Sequence, residues 1–389
     1  MFEPACARRA DLVGAGLCAE PSFSLRIFNF FMLAFGKMLK PHVIESSVRQ
    51  LRNYLLYNYN SWRGREYIPD PRFRINIETS SICNLRCRFC AYVKKTTPKM
   101  IMPDGFFQNC VKQAAAMGFY HVGLTPMTGD VFCDPNLFDK FAFLESFDPI
   151  REYSFFTNLT LPTRDDIDRL LELRKLRELT VSLYGHDLAS FTAITGRGEG
   201  VYRRLLENLE YLVSNLSKVS WRPGLGWRSY STLRVKPDPA LKRIFKICKA
   251  AGIRVSRSQV YNNWGGFVGR DDLGGLPIDI NENASVYKKG ACCMLLSSVQ
   301  IMANGTVNGC SCRDVNGTLC IGDMNSAPLS GILTTSNPVY LGLIEAQQCG
   351  DFPEVCGNCD FYKSIYLAGR ALQRAEGESI TLREFMARY

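Results

Sequence analysis

Apolar positions along this chain change period several times, and each change marks an element. Residues 25–39 are almost continuously apolar, with Leu25, Ile27, Phe28, Phe30, Phe31, Met32, Leu33 and Phe35. The run is too short to span a bilayer and lacks the small-residue cleavage site of a signal peptide. It predicts a helix packed on the core, with an interfacial membrane helix as the alternative. Residues 1–23 carry no period and read as a loose N-terminal segment. Ile44, Val48, Leu51 and Leu55 then recur on one face of an amphipathic helix. That face is expected to cover the body of the protein below it.

From residue 74 onward, short apolar runs alternate with helical periods. Strands are predicted at 74–79, 121–126, 152–157, 178–184, 224–230 and 254–260. Helices are predicted between them, at about 104–117, 135–146, 164–173, 200–214 and 238–250. Runs such as Glu178-Leu179-Thr180-Val181-Ser182-Leu183 are apolar and β-branched enough for burial on both faces. Repeated β-then-α units imply an α/β fold: a parallel sheet with helices outside and function at the C-terminal strand ends. Residues 270–290 then turn polar and Gly-rich, the pattern of a linker. Beyond them, Asn304-Gly305 stands between two apolar runs and signals a hairpin.

Composition narrows the partners. The chain has 389 residues, 46% of them apolar, enough for one large or two moderate domains. Its net charge is +10, but Lys and Arg are dispersed with no basic stripe, so nucleic acid is not a predicted partner. Sixteen cysteines against three histidines favour thiolate ligation over imidazole chemistry. A long chain with its own core does not need disulfides, and reduced thiols imply a cytoplasmic location.

The thiols that matter most follow the first predicted strand, as Cys83-Asn84-Leu85-Arg86-Cys87-Arg88-Phe89-Cys90. Three cysteines in C-x3-C-x2-C spacing suit one face of a [4Fe-4S] cube. The next cysteine is Cys110, so the loop offers no fourth ligand nearby and one iron stays open. Structural zinc would instead favour paired C-x2-C knuckles and histidine. This spacing resembles the signature of the radical SAM enzymes. The resemblance implies S-adenosylmethionine on the open iron, cleaved by a cluster electron to a 5′-deoxyadenosyl radical. It also implies a partial (β/α)6 TIM-like barrel, and Phe89 matches the aromatic position near the adenine.

Further matches fall on successive units. Thr128-Gly129-Asp130 looks like the Gly-Gly-Glu element that binds the methionine amino group, with a shorter carboxylate. Thr157-Asn158 matches a Thr-Asn pair, Ser182 a serine that meets the ribose, and Arg197 a basic residue that meets the cofactor carboxylate. His186 reads as a solvated loop histidine, with acid–base work as the alternative. Trp264 lines the substrate space or caps the core; the sequence does not separate these.

Late in the chain, Cys292-Cys293, Gly305, Cys310 and Cys356-Gly357-Asn358-Cys359 resemble the auxiliary-cluster domain of the SPASM and Twitch subfamilies. No cysteine follows Cys359, which favours the shorter Twitch-like form with one auxiliary [4Fe-4S] cluster. The ligand set implied is Cys293, Cys310, Cys356 and Cys359. Cys292 competes with Cys293, and Cys312, Cys320 or Cys349 could substitute; a four-cysteine zinc site is the alternative.

The expected organisation is an N-terminal helical segment (1–70), a barrel (71–268), a linker (269–285), an auxiliary-cluster domain (286–365) and a C-terminal helix (366–389). The N-terminal part does not resemble the winged-helix peptide-recognition module of many relatives. The resemblance implies hydrogen abstraction from a substrate carbon. The outcome expected is oxidation or epimerisation of a carbohydrate-like or natural-product small molecule. The alternatives are maturation of a ribosomal peptide and a non-enzymatic iron–sulfur or zinc module. Two clusters, S-adenosylmethionine and an electron donor such as flavodoxin or ferredoxin complete the implied set.

Overall fold

A computed structural model describes residues 41–216, 219–232, 235–281, 286–367 and 379–389. The predicted loose segment 1–23 and apolar helix 25–39 lie outside the described residues. Six strands build the body: β2 (Arg74–Ile77), β3 (His121–Gly123), β4 (Glu152–Thr157), β5 (Leu176–Tyr184), β6 (Arg222–Arg228) and β7 (Arg254–Ser258). They are parallel neighbours in sequence order. Helices α2 (Asp104–Ala116), α3 (Leu137–Ser146), α4 (Arg164–Leu171), α6 (Glu199–Ser214) and α7 (Pro239–Ala250) connect them. Each presents an apolar stripe to the sheet, such as Phe107, Val111 and Ala114 of α2, all fully buried. This is the partial (β/α)6 barrel, with each predicted element within a few residues of its place.

One helix was not foreseen. The stretch Leu188–Thr195 forms α5, capped by Asp187, whose carboxylate accepts from the Ser190 N–H at 2.8 Å. It ends at Gly196 with φ +66°, a left-handed cap that favours glycine.

The predicted hairpin is β10 (Gln300–Ile301) and β11 (Thr306–Asn308), preceded by α8 (Cys293–Ser297) and followed by β12 (Cys320–Asp323). It does not stand apart from the barrel. β10 pairs in parallel with β2, so one nine-stranded sheet runs through both regions. The expected boundary at 286 is therefore no break in the hydrogen-bonded sheet. Helices α9 (Leu329–Ile332), α10 (Pro338–Gln348) and α11 (Glu354–Gly357) carry the chain to its last cysteines. The expected C-terminal helix is α12 (Leu382–Arg388), preceded by β13 (Ser379–Ile380), which pairs with β1 (Ile68–Pro69).

Two expectations are corrected. Helix α1 (Pro41–Trp62) exists, but Val48, Leu51 and Leu55 are exposed and do not cover the barrel. Among its described side chains, from residue 48 on, the buried positions are Asn53, Tyr57 and Asn60, on another face; Ile44 lies outside them. Tyr57 stacks with Tyr287 and the Asn60 amide donates to the Tyr366 carbonyl at 2.8 Å, so aromatic and polar contacts stand where an apolar face was expected. The segment 269–285 is not a loose linker in its described part. Leu273, Ile278 and Ile280 are buried against Leu85 and Phe89, and β8 (Val260–Tyr261) pairs with β9 (Asp279–Ile280). These three apolar residues were hidden among Asp and Gly in the sequence.

Candidate active site

The cysteine loop follows β2 and is held from two sides. The end of α5 accepts from it: Arg86 N–H donates to the Thr195 carbonyl at 2.9 Å and Arg88 N–H to Ile194 at 3.0 Å. On the other side lies the loop after β3. Asp130 N–H donates to the Ile82 carbonyl at 2.8 Å. Gly129 has φ +147°, and a Cβ there would sit 2.7 Å from the Ser80 carbonyl oxygen. Only glycine lets the two loops approach this closely.

Between these loops is a cavity of ≈ 190 Å³. Cys83, Cys87 and Cys90 line it together, with no other cysteine in its wall. The Leu85 N–H points at Cys83 Sγ at 3.4 Å. Burial pushes all three thiols up, Cys90 to about 11. Left alone they would stay protonated, so a bound metal would have to supply the charge that makes them thiolates. The donor set fits an iron–sulfur cluster with one position left open.

Phe89, Gly129, Asp130, Thr157, Asn158 and Ser182 line the same cavity. Phe89 is buried and packs on Tyr184 and Tyr261, ring centroids 5.2 and 4.6 Å away. Asp130 is the hub of a network. Its carboxylate accepts from the Phe132 N–H at 3.0 Å, the Asn158 N–H at 2.6 Å and the Thr157 hydroxyl. Burial pushes this carboxyl up to about 6, against the pull of those donors. Asn158 in turn donates to Asn84 Oδ1 at 3.0 Å, and its Nδ2 lies 4.0 Å from Cys83 Sγ. The Thr-Asn pair thus ties the end of β4 to both the carboxylate and the cysteine loop.

Arg197 is not in the cavity wall. Its Nε donates to the Asn84 carbonyl at 2.5 Å, bracing the cysteine loop from outside. The resemblance set it against the cofactor carboxylate; in the structure its Nε is engaged by the cysteine loop. The cation that does line the cavity is Arg228, the last residue of β6, joined by Tyr184, Asn262 and Trp264. Arg228 was missed; its signal was a charge at the C-terminal end of a strand, where function was expected. Cys133 was also missed. It stands beside Cys83, outside the cavity wall, with its thiol pushed up to about 12 mainly by burial. His186 lies off the cavity, with Nδ1 2.7 Å from Ser229 Oγ.

A second group of thiols gathers around the base of the hairpin. Cys292, Cys310, Cys312, Cys356 and Cys359 line one small apolar pocket. Cys293 does not join them. It starts α8 facing the core, 1% exposed, with its thiol directed at the Tyr67 carbonyl. The spacing could not separate adjacent cysteines; the turn into α8 sends their side chains apart, because consecutive helical residues point about 100° apart. Donors surround the sulfurs: Gln347 Nε2 to Cys356 at 3.4 Å, Phe361 N–H to Cys359 at 3.2 Å and Cys312 N–H to Cys310 at 3.4 Å. Such contacts favour thiolates. Cys320 is exposed elsewhere, and Cys349 is disulfide-bonded.

Residues 77–222 match the family model of the radical SAM superfamily. No curated protein sequence matches the chain. Among solved structures, Streptococcus suis SuiB bound to precursor peptide SuiA is 13% identical, with a TM-score of 0.50, over 79% of this chain and 72% of that one. BtrN in complex with AdoMet and 2-DOIA is 15% identical, with a TM-score of 0.48, over 75% and 94%. Native anSMEcpe with bound AdoMet is 15% identical, with a TM-score of 0.47, over 71% and 83%. The likeness to SuiB is one of fold. The three thiols on the loop after the first barrel strand lie inside the segment that matches the radical SAM superfamily model.

Proposed function

We propose that this enzyme oxidises a small molecule by hydrogen abstraction, with Cys83, Cys87 and Cys90 holding the reactive cluster. The observation that carries this is the shared cavity: three thiols, the Gly129-Asp130 loop, Asn158 and Ser182 converge on one space. When bound, the cluster supplies the electron that cleaves S-adenosylmethionine to the 5′-deoxyadenosyl radical, which takes a hydrogen atom from a substrate carbon.

The chain's own residues position and shield. Asp130 accepts from the ammonium of S-adenosylmethionine through the lone pairs its protein donors leave free. Gly129 allows the backbone approach, and Phe89 offers its ring to the adenine while Ser182 meets the ribose. Leu273, Ile278 and Ile280 keep water from the cysteine loop. Cys292, Cys310, Cys356 and Cys359 hold a second cluster in a Twitch-like auxiliary domain, an acceptor for the electron the substrate gives up. Cys312 is a fifth thiol able to replace one of them. An electron donor of the flavodoxin or ferredoxin kind serves the reactive cluster. A cytoplasmic location suits the exposed and half-buried thiols. No described helix is long and apolar enough to cross a membrane.

The test is anaerobic reconstitution. The wild type should hold about eight irons per chain and form 5′-deoxyadenosine on reduction. Changing Cys83, Cys87 and Cys90 together to Ala should remove about half the iron and abolish 5′-deoxyadenosine. Zinc as the dominant metal would overturn the reading. Once a substrate is known, a product lighter by two hydrogens supports oxidation. An unchanged mass with deuterium taken from solvent would mean epimerisation, and turnover of a ribosomal peptide alone would replace the small-molecule half.

A further inference from the structure

We propose that Arg228 anchors an anionic group of the substrate, a carboxylate or a phosphate, at the barrel mouth. This rests on the reading above that the cavity holds S-adenosylmethionine on the side of Asp130.

Arg228 ends β6 and lines the cavity with the three thiols. Its side chain is half-buried and makes no hydrogen bond or ion pair among the described residues. Other partly buried arginines of this chain are matched: Arg313 donates to Asp360 at 2.7 Å, and Arg177 pairs with Glu152. A guanidinium held away from water without an anion is costly, so an unmatched one aimed into a cavity implies a ligand. Among the described residues the only carboxylate in the cavity wall is Asp130, whose oxygens already accept from Phe132, Thr157 and Asn158. Arg228 does act on the cavity electrostatically, easing proton loss from Cys87, Cys90 and Tyr184.

Two neighbours shape the subsite. Asn262 lines the cavity with an amide that makes no hydrogen bond among the described residues. Trp264 holds φ +53°, a conformation rare for a non-glycine residue, and its Nε1–H donates to the Phe89 carbonyl at 2.9 Å. That bond fixes the indole in the cavity wall, and backbone strain of this kind is kept where surroundings enforce it.

The anion is not the carboxylate of S-adenosylmethionine. The Asp130 carboxylate is bonded to Thr157 and Asn158 at the end of β4, and Arg228 ends β6, with β5 between them. Two strand spacings are about 10 Å along the sheet. The amine and carboxylate of a methionine share one carbon, so a cofactor held by its ammonium at Asp130 keeps its carboxylate on the β4 side. Arg228 therefore faces what lies beyond the cofactor, the substrate.

The experiment uses anaerobically reconstituted holoenzyme saturated with S-adenosylmethionine, titrated calorimetrically with inorganic phosphate and, separately, with acetate. The expected result is saturable binding of one of them, weakened at least about tenfold in Arg228→Met and partly kept in Arg228→Lys, which has the charge without the planar fork. No saturable binding of either anion to the wild type, or equal binding to Arg228→Met, overturns the inference. So does a loss of S-adenosylmethionine affinity in Arg228→Met as large as the loss of anion affinity, which would assign the residue to the cofactor. Failure of the wild type to hold iron or to form 5′-deoxyadenosine would strike the proposed function itself, and is read before any anion is added.

Discussion

The two thiol groups of this molecule are built on opposite plans. The barrel group draws three cysteines from one eight-residue loop, Cys83 to Cys90, and sets them in a cavity with polar walls. Asp130, Asn158, Ser182, Arg228 and Asn262 all reach that cavity. The C-terminal group draws five cysteines from three separate segments and encloses them with Leu295, Leu319 and Val355. Its nearby charges are matched: Arg313 is paired with Asp360, and Lys288 donates to the Gly357 carbonyl at 2.8 Å. Too few thiols with polar company make a place where something else must bind. A surplus of thiols with apolar company makes a closed site. The first plan suits chemistry on a substrate, and the second suits holding charge.

The sharpest way to break this comparison is at the adjacent pair Cys292 and Cys293. Cys292 lines the C-terminal pocket, with its N–H donating to Gln347 Oε1 at 2.7 Å, while Cys293 sits in the core. Cys292→Ala should lose up to about half of the iron, unless Cys312 substitutes, in which case the cluster's electron paramagnetic resonance signal should shift. Cys293→Ala should keep all the iron and lose about 1 kcal/mol of stability, as a small buried hydrophobe does. Iron analysis and denaturation of the two variants decide it. The reverse pattern would return the ligand to Cys293.

A smaller effect is expected on the open side. Asp130→Ala removes the acceptor proposed for the ammonium of S-adenosylmethionine. That loss costs on the order of 1.5–3 kcal/mol, about 10- to 150-fold in affinity. Calorimetric titration of the reconstituted variant measures it, with iron content as the control. Unchanged affinity would leave Asp130 only as the acceptor that closes the turn at Phe132 and Asn158.

Much of this was legible in the sequence for reasons of period and spacing. Buried parallel strands are continuous apolar runs, so β2 to β7 could be read within a few residues. Three cysteines within eight residues are local, so the convergence of Cys83, Cys87 and Cys90 on one cavity could be read from spacing. What failed was what the sequence does not encode locally. The face of α1 follows from which partner packs on it, and Tyr57 found Tyr287, 230 positions later. The choice between Cys292 and Cys293 depends on where a helix begins. Leu273 and Ile278 looked like isolated apolar residues in a linker until their neighbours Leu85 and Phe89 arrived from the other end of the barrel. Arg197 and Arg228 are equally basic in sequence, and only their directions separate a brace from a cavity cation.

Between the two thiol groups stands one buried carboxylate, Glu78, just past the end of β2 and 1% exposed. One oxygen accepts from the Met127 N–H at 3.2 Å, in the loop that leads to Gly129 and Asp130. The other accepts from the Ala303 N–H at 3.0 Å, in the turn of the hairpin. Burial raises its proton affinity, and nearby Lys95 together with the two amides opposes that. The two regions are thus fastened through a single side chain as well as through the β10–β2 pairing. In Glu78→Gln one oxygen becomes an NH2, so one of the two backbone N–H groups must face a donor. An unmet buried group of this kind costs about 1–3 kcal/mol. Denaturant unfolding of the reconstituted protein should show that loss, with iron content unchanged. The same variant sharpens the comparison if the affinity for S-adenosylmethionine falls with it, because the hairpin side would then be helping to set the loop that carries Asp130. A stability loss with affinity untouched would mean that the two plans share a sheet and nothing more.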